Sequence, residues 1–207
     1  KTGLWSIGSE GGRLRRLTSG DHPAYSAVRN WLVAVGSDGD ELLVHDVPSE
    51  LVTSPAFAAG ATAGSVAGLI WAADGQSWFV AVTDRRNGTT LVQIDARPPF
   101  DELQKVSIDG AFPDATTPPA IAGLGPTGDL GLWAREGDEV VVRFFDSKTL
   151  KERSNRERRL PATATSVRIG PDGGSLIWVD GTTLRYLPVF VDERTLGDGY
   201  VAAWYVG

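Results

Sequence analysis

The residues of this chain that could supply general acid–base chemistry are few. Its only histidines are His22, in the run "SGDHPAY" (19–25), and His45, between Val44 and Asp46. A Ser/His/Asp triad needs its base within hydrogen-bond reach of an exposed serine. No Gly-x-Ser-x-Gly elbow is present to offer that serine. The surroundings instead predict one loop histidine and one strand histidine, each satisfied by a local hydrogen bond. The stretch "SDGDE" (37–41) places Asp38, Asp40 and Glu41 close together. A calcium loop would need ligands at alternating positions and a more distant glutamate, so a hairpin turn is the expectation here. There is no cysteine, which removes disulfides, thiolate metal sites and cysteine nucleophiles. The residue types thus predict a non-enzymatic chain with no catalytic residues, no cofactor and no metal.

Charge points to a different kind of chemistry. The net charge is −6, which argues against nucleic acid, because phosphate neutralisation requires a basic face. Yet "KTLKERSNRERR" (148–159) gathers Lys148, Lys151, Arg153, Arg156, Arg158 and Arg159, offset by Glu152 and Glu157. With Arg13, Arg15 and Arg16 these could form a basic patch on an acidic protein. Arginine grips carboxylate or phosphate in a bidentate way, so the patch is a candidate site for a protein partner or an anionic head-group. The competing role is a solvated outer strand, charged to block edge pairing.

The elements that would carry these residues are strands. Apolar or alternating runs surround tight-turn dipeptides at Asp38-Gly39, Asn87-Gly88, Gly137-Asp138 and Asp180-Gly181. Such residues tolerate the positive φ of a tight hairpin, and the flanks are rich in Val, Ile, Trp, Tyr and Phe. Asn87-Gly88-Thr89 also matches a glycosylation sequon, but the hairpin accounts for it. A further strand and turn precede each hairpin. Taking Asn30, Gly75, Gly128 and Gly173 as equivalent turn residues gives spacings of 45, 53 and 45 residues. Periods of that size with four strands each indicate propeller blades. Outer strands are expected at 50–57, 103–108 and 156–162, and Pro-rich loops at 96–100 and 112–119. The seven tryptophans fall mostly inside hairpin strands, where core packing between blades is the default.

The turn sequences carry a family resemblance. "IGPDGGSLIWV" (169–179), "WAADGQSWFVAV" (71–82), "LGPTGDLGLW" (124–133) and "LWSIGSEGGRLRRLTSG" (4–20) resemble the repeat of TolB-like and WD40-like β-propellers. Departures are Gly170 for Ser, Ala73 for Pro and Thr127 for Asp. The resemblance implies an all-β propeller of four to five four-stranded blades, with small apolar inner strands and charged outer ones. As a single domain over 1–207, its blades would span about 24–58, 64–110, 116–162 and 163–207, with 1–20 completing a blade. The tail 199–207 could pair with the amino-terminal piece and close the ring. Family members usually have six or more blades, so the chain would be part of a larger propeller or an unusually small ring. The absence of methionine and a start at Lys1 within a strand region suggest a processed or truncated chain.

The resulting functional expectation is a protein-interaction scaffold or accessory subunit, docked on an envelope or membrane-associated complex. Alternatives are a propeller gating a peptidase domain absent from this chain, and a small-ligand sensor using the central channel. The compartment expected from the resemblance is the periplasm or another extracytoplasmic space; the lack of cysteine suits the cytoplasm equally. No run approaches the about 18 apolar residues of a membrane-spanning helix.

Overall fold

The computed structural model describes residues 3–6, 15–19, 21–26, 28–36, 41–53, 65–84, 88–189 and 193–199. The chain forms two compact units, Lys1–Lys105 and Val106–Gly207. Among the described residues the regular elements are strands, apart from a short 3-10 turn at Asp109–Ala111.

β1 (Gly3–Ser6) and β2 (Arg15–Ser19) pair only with each other. β3 (Asp21–Ser26), β4 (Trp31–Val35), β5 (Leu42–Asp46) and β6 (Leu51–Thr53) form the first four-stranded sheet. The second comprises β7 (Ser65–Trp71), β8 (Ser77–Thr83), β9 (Thr89–Asp95) and β10 (Glu102–Ser107). β11 (Ala120–Leu124), β12 (Asp129–Glu136), β13 (Glu139–Asp146) and β14 (Arg158–Pro161) form the third. The fourth contains β15 (Ala164–Ile169), β16 (Leu176–Asp180), β17 (Thr183–Leu187) and β18 (Arg194–Asp198). Each sheet keeps its strands in chain order and antiparallel, as the blades of a β-propeller do.

Local sequence explains the repeated turn. Asn30, Gly75, Gly128 and Gly173 have φ of 54°, 66°, 81° and 74°. This left-handed conformation suits glycine, and asparagine among the others. In three blades the same residue closes the turn, with the Gly75, Gly128 and Gly173 amides donating to the carbonyls of Ala72, Gly125 and Gly170. Asp74 and Asp172 brace their turns by accepting main-chain N–H groups from Gln76, and from Gly174 and Ser175. Each innermost strand also carries a register shift, between Asp21 and Ala24, Val66 and Gly68, Ile121 and Gly123, and Thr165 and Arg168.

Strand alternation produces the cores. In the first unit Val33, Val35, Leu42 and Val44 meet Trp78, Val80, Val82 and Ile94 of the next blade. In the second, Val140, Val142 and Phe144 meet Leu176 and Trp178. Trp78 and Trp178 are completely buried, and truncating such a side chain to alanine costs about 3–5 kcal/mol. Trp71 is buried as well, while Trp31 and Trp133 pack against the cores half-buried. Trp5's side chain and Trp204 lie outside the described residues. The fourth sheet takes β18 as its outer strand. The tail 200–207 and the Asp38-Gly39 and Asn87 turn residues lie outside the described residues. Outer-strand charge holds for β10, β14 and β18 but not for β6, whose Leu51, Val52 and Thr53 are all exposed.

Candidate functional site

The basic run divides when placed in the fold. Arg153 and Arg156 turn inward to Asp129, a buried residue at the start of β12. Arg153 Nε lies 2.5 Å from Asp129 Oδ1, and its NH2 lies 2.8 Å from Asp146 Oδ2. Arg156 NH1 donates to Asp129 Oδ2, and its NH2 donates to the Gly173 carbonyl at 3.1 Å. The Arg156 guanidinium also sits 4.9 Å from the Phe144 ring centroid. Asp129 further accepts from Thr127 Oγ1 at 2.8 Å. Arg156 therefore joins blade three to blade four, while Arg153 ties Asp129 to Asp146 within blade three.

The remaining members point outward to different degrees. Arg158 is half-buried and donates to the Glu157 carbonyl. Arg159 is exposed and pairs with Glu139 and Glu157. Lys148 and Lys151 are exposed. Arg15 and Arg16 lie in β2, whose side chains are outside the description, as is Arg13 altogether. Beside this group, Arg143 is held by Glu136 at 2.7 Å and Glu157 at 3.1 Å, and lies over the Phe112 ring.

An equivalent joint occurs in the first unit. Arg29, in the β3–β4 turn, donates from Nε to the Gly75 carbonyl at 2.5 Å and from NH2 to Gln76 Oε1 at 3.1 Å. It stacks on Trp31 at 5.2 Å. Gly75 and Gly173 are the same turn position, so in both units an arginine grips the carbonyl of a left-handed glycine in the next blade. In the first unit the turn end also presents Tyr25 and Val28, exposed by 55% and 66%. Tyr25 Oη donates to Asn30 Oδ1 at 2.6 Å.

The carboxylates that titrate abnormally brace turns. For Asp146, burial pushes the pKa up, but the amides of Lys148 and Thr149 and the charge of Arg153 outweigh it and hold the carboxyl low. Asp172 is likewise held low, its burial overcome by the Gly174 and Ser175 amides and the Ser175 hydroxyl. Arg97 lowers Asp95 to about 2, chiefly through hydrogen bonds from its side chain and amide.

His45 departs from expectation. It is buried in β5, and neither ring nitrogen has a hydrogen-bond partner. The strand supplies no side-chain acceptor because its cross-strand partners are Leu32 and Val52. His22 is exposed with φ 47°. Glu41 is exposed, and Asp38 and Asp40 lie outside the described residues. Among the described residues no group of three His, Cys, Asp or Glu side chains is placed to hold a metal. No helix among them is long and apolar enough to cross a membrane.

The pivotal site residue that sequence reasoning missed is Asp129. Its signal was available: it follows Gly128 where blades two and four continue with Gln76 and Gly174. Only the fold shows that Arg153 and Arg156 reach it.

No protein-family model matches the chain, and no curated protein matches it. Solved structures do. TolB from Acinetobacter baumannii superposes with a TM-score of 0.68 at 12% identity, covering 95% of this chain and 49% of its own. The β-propeller domain of Cps50 (Swd1) from Myceliophteria thermophila gives 0.56 at 14%, covering 89% and 61%. A chain of the Mitotic Checkpoint Complex gives 0.54 at 14%, covering 81% and 48%. The chain thus spans about half the length of the structures it matches. At these identities the likeness establishes the fold: four blades of a β-propeller, similar to those of TolB and of WD40-type proteins.

Proposed function

We propose that this chain is a non-enzymatic interaction scaffold, an accessory subunit that docks on a protein complex. The observation that carries this reading is the pair of arginine grips. In each unit a guanidinium ties the turn of one blade to the main chain of the next, so the turns are held as a fixed surface. A pre-organised surface loses less conformational entropy on binding than mobile loops do. Exposed Tyr25 and Val28 beside one grip supply the kind of aromatic and apolar contact on which interfaces depend. Arg153, Arg156 and Arg159 of the basic run are engaged in structural ion pairs, which favours a scaffolding role over catalysis. The similarity to a chain of the Mitotic Checkpoint Complex supports assembly into a larger complex.

The basic patch enters this proposal in narrower form. Lys148, Lys151 and Arg159 form its outward part and would meet an acidic partner surface; Arg156 holds blades three and four beneath, and Arg153 braces blade three. The TolB likeness supports an extracytoplasmic partner on the cell envelope. The test is affinity capture from a gently solubilised envelope fraction of the native host, with mass spectrometry. A stoichiometric partner is expected with the wild type, reduced by Tyr25→Ala with Val28→Ser and by charge reversal at Lys148 and Lys151. Recovery as a free monomer, or equal capture by all variants, would contradict the docking surface.

A further inference from the structure

Among the described residues Arg168, like Arg135 and Arg158 of the same unit, is half-buried without an ion pair to a carboxylate; it alone of the three lies on an innermost strand. It lies on β15, the innermost strand of its blade, at the end of the register shift between Thr165 and Arg168. Ser166, within that bulge, has φ 51°. Bulges re-aim side chains. The neighbouring Val167 and Ile169 are buried in the core shared with the preceding blade. Alternation puts Arg168 on the other face, opposite Ile177, where Ile177, Val179 and Leu184 form a small apolar cluster.

The guanidinium is therefore desolvated without being neutralised. Burial pulls its pKa down. Among the described residues its hydrogen bond runs from NH1 to the adjacent Val167 carbonyl at 2.9 Å. Four other half-buried arginines of the same unit, Arg143, Arg153, Arg156 and Arg185, do meet a carboxylate. Arginine cannot relieve the cost of burial by losing its proton; only a counter-charge can. Nor is the group sealed off. The Arg168 side chain stays partly open to solvent. The equivalent inner-strand position of the first blade is Tyr25, which is 55% exposed.

We propose that Arg168 anchors an oxyanion-binding site on the innermost strand, taking the phosphate or carboxylate group of a small ligand against the apolar face of Ile177. The free edge of the guanidinium would form the paired hydrogen bonds that two oxygens of a carboxylate or phosphate accept. This role is separate from protein docking and stands or falls independently of it.

The test follows the arginine Nε–Hε resonances of the wild-type protein by NMR. Inorganic phosphate and, separately, acetate are titrated at constant ionic strength. The Arg168 signal is expected to move saturably. A larger response to phosphate identifies a phosphoryl ligand and a larger response to acetate a carboxylate. In parallel, phosphate should raise the thermal midpoint of the wild type but not of Arg168→Gln, whose affinity should fall about tenfold or more. Arg168→Lys should retain part of the effect. No saturable shift at Arg168, the same shift at exposed Arg159, or an equal midpoint rise in Arg168→Gln would overturn the proposal. The wild-type titration decides the matter even if a variant fails to fold.

Discussion

The joint between the first two blades and the joint between the last two solve one packing problem with different chemistry. Both bring a left-handed glycine turn against the preceding blade and grip its carbonyl with an arginine. Trp31 and Asp129 occupy the same place, each opening the second strand of its blade opposite Asp46 or Asp146. Around Trp31 the joint is aromatic. Trp31, Trp71, Trp78 and Phe100 stack edge-on or tilted, with centroids 5.2 to 6.3 Å apart. Trp71 Nε1 donates across the joint to the Ala24 carbonyl at 2.9 Å. Around Asp129 the joint is ionic and close-packed. Ile169 stands where Trp71 does, and a Cβ on Gly131 would fall 1.9 Å from its Cδ1. The lesson is that backbone geometry is shared while the side chains that stabilise it are exchanged as a set. A large aromatic with a polar edge can be replaced by a small aliphatic only when glycines close the gap and an ion pair supplies the lost attraction.

Asp129→Asn should break this contrast most severely. It strips Arg153 and Arg156 of their shared buried charge, and breaking such a pair costs about 3–5 kcal/mol. Urea unfolding should show the loss in the second unit while leaving the Trp71–Trp78 fluorescence transition of the first unchanged. Gly125→Ala comes next. Its Cβ would lie 2.7 Å from the Gly173 Cα. Because the obstacle is main chain, we expect about 3 kcal/mol of destabilisation. The substitution Gly131→Ala should cost less, since it meets the flexible end of Ile169, and Ile169→Val should relieve it. Arg29→Ala should be milder still, about 1–2 kcal/mol, because it removes a grip and an aromatic contact but strands no buried charge. A loss equal to that of Asp129→Asn would show that the two joints do not differ in kind.

The smallest effect sharpens the comparison through pH. Asp95 is depressed to about 2 by Arg97. A carboxyl whose folded pKa lies below its unfolded value of about 3.9 contributes stability above that value and loses it as pH falls toward the folded one. Arg97 is exposed, so solvent screening keeps this contribution slight. Asp95→Asn should flatten the acid limb of the first unit's stability between about pH 4 and 2, measured by urea midpoints. Asp146, held low by amides and Arg153, should give the second unit an acid limb of the same sign, lost likewise as pH falls.

Much of the fold could be read from turn chemistry. Asn30, Gly75, Gly128 and Gly173, aligned by spacing alone, are the left-handed turn residues of successive blades. Hairpins at Gly137 and Gly181 also appear, with φ 55° and 62°. These features are local, and a positive φ leaves its mark on residue type. The candidate site was less legible because its partners are far apart in sequence. Arg156 reads as one cation in a solvated run, and only the return of β13 to β14 sets it against Asp129, 27 residues earlier. The bare His45 could not be foreseen either. A histidine beside an aspartate suggests a hydrogen bond, but strand alternation sends Asp46 to the opposite face. Arg168 was hidden in a run that looked small and apolar.

The account rests on the blades being locked at their turns, and native-state hydrogen exchange measures that directly. The amides of Gly75 and Gly173, which close the gripped turns, should exchange only through global unfolding in the wild type. In Asp129→Asn, Gly173 should lose protection about a hundredfold or more while Gly75 keeps its own. Fast exchange of both turns in the wild type, or an unchanged Gly173 in the variant, would contradict a platform fixed by its arginine grips.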